Sequence, residues 1–457
     1  MKKFAIAIIA LLLVGAGAAW YFMRPKDKAR DVVPADATSV VVLEPQKMIQ
    51  ELGLEAEDVQ KLGSNFEGVL KAVDLAEPVY AFQTEDGQSG LSLNLKDAEK
   101  LVKAISSLGF ANEEQQGLKW ITDGNSVGCL DKDKLLLFLS VAATQQDALK
   151  PLMKKLMQQG KQDVKVLDEL GEQDGFLKVN TALNNLPDKY VSGLSKGIKL
   201  SDSRLNAGLG IGKKDITLSA SLADSPLAHV EGWGQPIEGN LFNLQPADPV
   251  FWLCFNIKGE TLLNFLRQQP QLRTALLGLN MMADVDMMLK AIDGDVMITM
   301  PKLNIQSPEL LLTATLANAD FLKNAGDWEG ITKRGTQDFM ASLEGIPTYF
   351  GVRNGVLYLT NSQKLADSAC ETTGVRSVPA MANGKCLSAS LNAGQIIKSY
   401  PGLSLMLSAI PGVRSAVNGI EGLTLSVDPQ QDIELSLKTN EPVKDIIKDL
   451  KKLLMAL

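Results

Sequence analysis

Pro34-Ala35-Asp36-Ala37-Thr38-Ser39-Val40-Val41-Val42-Leu43 is a turn-forming tripeptide running into an apolar, strand-like stretch. Pro246-Ala247-Asp248-Pro249-Val250-Phe251-Trp252-Leu253-Cys254-Phe255 repeats that plan 212 residues later. Two further echoes keep the same order. Leu70-Lys71-Ala72-Val73-Asp74 returns as Leu289-Lys290-Ala291-Ile292-Asp293 at an offset of 219, and Asp215-Ile216-Thr217-Leu218-Ser219 returns as Asp432-Ile433-Glu434-Leu435-Ser436 at 217. Offsets that drift by only a few residues are what loop-length changes leave in a duplicated unit.

The sequence therefore reads as an N-terminal segment (residues 1–30), a first repeat (31–224), a linker rich in Pro and Gly (225–244), a second repeat (245–441) and a C-terminal amphipathic helix (442–457). Each repeat is long enough to bury its own core without a disulfide framework or a structural metal.

Periodicity sets the fold class. Leu91, Leu93 and Leu95 alternate with Ser92 and Asn94, and Ile216, Leu218, Ala220 and Leu222 alternate with Thr217, Ser219 and Ser221. A period of two predicts antiparallel strands with one face buried and one wet. After Leu95 the period changes: Ala98, Leu101, Val102 and Ile105 share a helical face, and Asp97 stands where an N-cap belongs. The second copy has Asn318 as cap before Phe321, Leu322 and Ala325. Asn354-Gly355 is a hairpin-turn signal. Each repeat is thus expected to be α+β, an antiparallel sheet carrying several helices.

The N-terminus is a separate piece. Phe4 to Met23 carries no charge and is flanked by Lys2, Lys3, Arg24, Lys26, Lys28 and Arg30. Twenty residues at about 1.5 Å each reach about 30 Å, the thickness of a bilayer core. Ala16-Gly17-Ala18 offers a cleavage site for a signal peptide, but Trp20, Tyr21 and Phe22 continue the apolar run into an interfacial belt. The expectation is an uncleaved single-pass anchor in the inner (cytoplasmic) membrane. The basic count after the span argues for an internal bulk, whereas the short Lys-Lys start argues for export. The exported, periplasmic placement is the one adopted.

The first thirty residues carry a charge of +5, so of the formal −7 the remaining body holds −12. An acidic body excludes a broad nucleic-acid surface. Cys129, Cys254, Cys370 and Cys386 are too few and too scattered for a zinc site. Cys370 and Cys386 bracket a polar loop, and an oxidising compartment would let them pair, for about 3 kcal/mol of loop-closure stabilisation.

Gly124-Asn125-Ser126-Val127-Gly128 has the spacing of a hydrolase nucleophile elbow, with His229, the only histidine, as its base. The segment falls between two strand-like runs with no helix after it, the wrong setting for that turn. Gly208-Leu209-Gly210-Ile211-Gly212-Lys213-Lys214 departs from the phosphate-loop pattern at Ala207 and Lys214 and reads as a glycine-rich strand. The carboxylate pairs Asp131/Asp133, Asp284/Asp286 and Asp293/Asp295 read as turns and hairpin tips. No cofactor or metal site is expected. Met281, Met282, Met287 and Met288 cluster in one stretch of the second repeat only, where thioethers suit an irregular core or an adaptable apolar pocket.

The opening Val32-Val33-Pro34-Ala35-Asp36-Ala37-Thr38-Ser39-Val40-Val41-Val42, followed by an amphipathic helix and a second copy, resembles an uncharacterised family of duplicated cell-envelope proteins of Gram-negative anaerobes. Members that are lipoproteins carry a cysteine after the signal; this chain has none before Cys129. The resemblance implies an envelope location and no activity. The functional expectation is non-enzymatic binding of a partner protein or apolar ligand by a membrane-anchored envelope protein. An exported hydrolase using carboxylates or Ser126 is the competing class, and a structural brace of an envelope assembly is the third.

Overall fold

The computed structural model describes residues 28–53, 67–115, 117–160, 162–185, 203–223, 232–268, 270–280, 284–304, 307–328, 330–343, 345–371, 378–399 and 419–448. The apolar N-terminal run, His229, Met281, Met282 and residues 449–457 lie outside them. Contacts divide the chain into two compact units, the first comprising residues up to 186 with 204–213, the second 187–203 with 214–457.

Strands of the first unit are β1 (Ala37–Leu43), β2 (Val79–Thr84), β3 (Ser89–Asn94), β4 (Ala111–Gln115), β5 (Leu118–Thr122), β6 (Ser126–Leu130), β7 (Lys134–Leu139), β8 (Leu177–Ala182) and β9 (Arg204–Ile211). They pair antiparallel in the order β9-β8-β1-β2-β3-β7-β6-β5-β4. One face holds Val40, Val42, Tyr80, Phe82 and Phe138 under the helix Ala143–Gln158. The other holds Leu91, Leu93, Leu135 and Leu137 under the helices Glu67–Ala72 and Ala98–Ser106. A strand covered on both sides has no wet face, which is why Leu135-Leu136-Leu137-Phe138 runs apolar without alternation. Asp97 caps the second of those helices, its carboxylate accepting from the Lys100 N–H at 3.0 Å.

Strands of the second unit are β10 (Asp215–Ala223), β11 (Phe251–Lys258), β12 (Ile292–Met300), β13 (Leu311–Leu316), β14 (Ile331–Lys333), β15 (Asp338–Leu343), β16 (Ile346–Arg353), β17 (Val356–Thr360), β18 (Leu387–Asn392), β19 (Ile420–Val427) and β20 (Asp432–Thr439). Their antiparallel order is β10-β20-β19-β18-β11-β12-β13-β17-β16-β15-β14. From β19 onward each label is that of the first unit raised by ten, so the two units share one pairing order. Mixed helix and antiparallel sheet make both α+β. Asn354 and Gly355 turn from β16 to β17 with φ of 54° and 77°, as a two-residue hairpin with a right-handed twist requires. Phe321, Leu322 and Ala325 are buried on a short 3-10 helix, Asp320–Asp327, and the Asn318 side chain accepts from the Asp320 N–H.

Two boundaries differ from the sequence reading. Asp215–Ala223 groups with the second unit, where its residues from Asp215 to Ser221 are laddered to β20. Within the expected linker, residues 232–244 are not a free connection: Ile237, Leu241 and Phe242 are buried, with the Phe242 ring edge-on to Trp252 at 5.2 Å. Three large apolar side chains in thirteen residues are enough to hold that segment against the sheet. At the C-terminal end, residues 443–448 are helical with Val443 and Ile446 buried.

Candidate functional site

The apolar side chains of β11, β18, β19, β20 and β10 fall into three rows that cross five adjacent strands. Registered pairs give Phe255-Leu387-Val427-Ile433-Ala220, then Leu253-Ala389-Leu425-Leu435-Leu218, then Phe251-Leu391-Leu423-Leu437-Ile216. All fifteen positions are apolar, yet none is buried; Leu218 keeps 40% of its surface exposed and Leu423 37%. Of the fifteen, only Phe255 packs on a core cluster.

On the opposite face Trp252, Cys254, Asn256, Ser388, Ser426 and Ser436 are all buried. The usual partition is inverted: the serine face is covered and the leucine face stays accessible. Strand spacings of about 4.8 Å and two-residue repeats of about 6.7 Å make the grid roughly 19 by 13 Å. Leu218 and Leu423 are the exposed members and the other thirteen are half-buried, so the rows keep apolar area in contact with water that a core would cover. The alternation of Ile216, Leu218, Ala220 and Leu222 was legible as a strand with one buried face; the structure leaves that face half-exposed.

Of the methionine cluster, Met281 and Met282 lie outside the described residues. Met287 is 41% exposed on the helix Val285–Lys290, while Met288 packs against a core cluster of the unit. Phe265 on the helix Gly259–Gln268 and Leu272 and Leu277 on the helix Pro270–Asn280 are exposed as well. Asp284 caps the Met287 helix, accepting from the Met287 N–H at 2.9 Å, and Asp286 pairs with Arg267 and Asn280.

Cys370 and Cys386 are unbridged and buried. The Cys370 thiol lies 3.8 Å from the Val356 carbonyl beside Tyr358, whereas the Cys386 thiol faces the Val427 and Asp428 carbonyls at 3.4 and 3.3 Å. The expected pairing is not formed because each sulfur is packed into a different part of the unit. Burial pushes the Cys129 thiol up to about 12 and the Cys370 thiol up to about 11; for Cys254 and Cys386 burial again acts upward. We therefore expect all four thiols to resist alkylation at pH 8 in the folded chain and to react at once in denaturant. A folded protein that takes up one label per chain at that pH removes this assignment. Because the folded value lies above the ordinary 9.0, the protonated Cys129 thiol supports the fold fully below pH 9. That support is lost as pH rises to about 12.

Ser126 is the first residue of β6, buried, and paired opposite Leu139. The chain then continues along β6 into the hairpin to β7, so the strand-turn-helix of a nucleophile elbow is not built there. Asp131 and Asp133 sit at the tip of that hairpin, where Asp133 pairs with Lys28. Among the described residues no cluster of three His, Cys, Asp or Glu side chains is placed to hold a metal ion.

Two polar groupings escaped the sequence reading. Asp295 is fully buried and accepts from the N–H groups of Glu238 (3.0 Å) and Gly239 (2.7 Å) and from Asn256 Nδ2 (3.1 Å). Asp338 accepts from the Tyr358 hydroxyl at 2.7 Å and from Arg353 Nε at 3.2 Å, and the Arg353 guanidinium also stands 5.0 Å from the Tyr358 ring centroid. Burial, then Asp338, pushes the Tyr358 hydroxyl upward. Each set is internally satisfied, which is the signature of a structural tie.

Among solved structures, three crystal forms of TP0453 are similar to parts of this chain. Form III has 11% identity and a TM-score of 0.31 over 43% of this chain and 80% of that one. Form IV has 11% and 0.30 over 42% and 80%, and form I has 9% and 0.30 over 45% and 82%. No curated protein matches the sequence. Among the described residues no helix is long and apolar enough to cross a membrane. The family model described as a domain of unknown function, DUF4836, matches residues 71–377, about two thirds of the length, and the chain belongs to that family.

Proposed function

We propose that this chain is a membrane-anchored envelope protein, made of two copies of one α+β unit, that binds an apolar ligand without turning it over. The fifteen-residue grid is the observation that carries the reading: apolar side chains that stay unburied in register across five strands are placed for an occupant. Duplication is supported by the sequence echoes and by the strand order that recurs with its labels raised by ten. Anchoring rests on Phe4 to Met23 and its basic flanks, and the periplasmic side on the short Lys-Lys start.

Leu218→Gln combined with Leu423→Gln changes the two most exposed members of the grid and leaves the strand pairing intact. The pair should forgo about 2 kcal/mol of apolar contact with the occupant, roughly thirtyfold in affinity. The full chain, extracted from membranes and denatured, should release an apolar molecule at near one per chain; the double variant should release little. A parent chain that releases none, or a variant that releases the same amount, sinks the reading.

A second reading, docking of a partner protein, is favoured by one observation, that Phe265, Leu272, Leu277 and Met287 stand exposed on three consecutive helices.

A further inference from the structure

The segment that follows the basic flank is tied into the first unit. Ala29, Val32 and Val33 are completely buried in the same core cluster as Val40, Phe138 and Met153. The Lys28 and Ala29 N–H groups both donate to Asn94 Oδ1, at 3.0 and 3.1 Å, and the Ser92 hydroxyl donates to the Ala29 carbonyl at 2.9 Å. The Lys28 ammonium pairs with Asp133, and Arg30 with Asp168 at 2.5 Å. Asn94 and Ser92 are themselves buried, so peeling the segment off would break three bonds to buried partners and expose three apolar side chains.

These ties fix the point at which the chain enters the unit. Asn94 ends β3 and stands opposite Lys134, the first residue of β7, and the Leu95 N–H donates to the Asp133 carbonyl at 2.8 Å. Lys28 therefore lies at the end of the sheet that carries the β6–β7 hairpin tip, Asp131 to Asp133. The β2–β3 turn, which holds Glu85, is at the other end of β3, where Ser89 pairs with Gln83 and Leu139. Six residues of β3 set the two tips about 20 Å apart.

We propose that this sheet end meets a phospholipid bilayer: the β6–β7 tip is seated at the head groups, and the β2–β3 turn stands about 20 Å further out. The inference rests on the anchor reading of Phe4 to Met23 above and adds which part of the first unit faces the membrane. The five residue steps from Met23 to Lys28 span at most about 18 Å, so a pinned Lys28 leaves the tip beside it little room to move away. Charge does not oppose the seat. Asp131 and Asp133 are balanced by Lys132 and Lys28, and a neutral tip is not repelled by anionic head groups. Tether length thus sets the position, which should be insensitive to salt.

The test uses the full chain reconstituted in phosphatidylcholine vesicles that carry a nitroxide quencher on the head group. A fluorescent label is placed on Lys132→Cys or on Glu85→Cys, both exposed positions, while the four native thiols are buried and should stay unlabelled. The label at position 132 should be quenched several-fold more strongly than the label at position 85, at low and at high salt. A Gly/Ser insert of about 30 residues between Asp27 and Lys28, with a root-mean-square span of about 30 Å, should abolish the difference and leave vesicle flotation intact. Equal quenching of the two labels in a parent chain that floats, or a difference that survives the insert, overturns the seating and leaves the anchor standing. A full chain that does not float with the vesicles overturns both.

Discussion

Replacing Asp295 with Ala should destabilise the second unit by about 3–5 kcal/mol, since three buried donors lose their acceptor at about 1–3 kcal/mol each. The carboxylate is fully buried and holds three donors, the N–H groups of Glu238 and Gly239 and the Asn256 side chain. Alanine would leave all three donors without an acceptor and out of water, and an unmade buried bond costs more than a made one contributes. Asp295→Asn keeps one carbonyl oxygen and should cost about half as much. Because two of the donors are on the segment before β11, the loss should also loosen Ile237, Leu241 and Phe242 from the sheet. Urea unfolding of the full chain checks this; a shift below about 1 kcal/mol would mean that the tie carries no net stability.

Phe138→Ala should cost the first unit a similar amount, about 3–5 kcal/mol, by a different route. Phe138 is completely buried and stands edge-on to Phe82 at 5.6 Å. Between them in the register lies Gly90, and a Cβ there would come within 2.3 Å of the Phe82 ring. The ring pair thus fills the space that the glycine leaves, and surrounding strands paired on both sides restrict collapse into the gap. Phe138→Leu conserves most of the volume and should cost under about 1.5 kcal/mol. Equal costs for Ala and Leu, measured by thermal unfolding, would show that the site is not packed as described.

Much of the architecture was legible from local signals because those signals are local physics. Asp97 capped the helix it precedes, Asn354-Gly355 made the hairpin, and the alternating runs became antiparallel strands. The boundaries were less legible. Asp215–Ala223 reads as the end of the first repeat, and its ladder to β20 is a pairing that no local signal announces. Residues 232–244 carry the Pro and Gly of a linker, yet three apolar side chains among them outweighed that composition. The Cys370/Cys386 pairing failed for the same reason: a loop of fifteen residues between them permits a bond, but packing decided where each sulfur points.

By itself the sequence determined the α+β class and the chemistry available to each strand, because periodicity and turn residues act over a few positions. Only the tertiary structure decided which face of each strand is covered. In β18, β19 and β20 the serines are turned into the unit and the leucines are left accessible, and no periodicity distinguishes that arrangement from its reverse. The grid exists because β10, β11, β18 and the β19–β20 hairpin, well separated in sequence, come into register, and that register is set by long-range pairing.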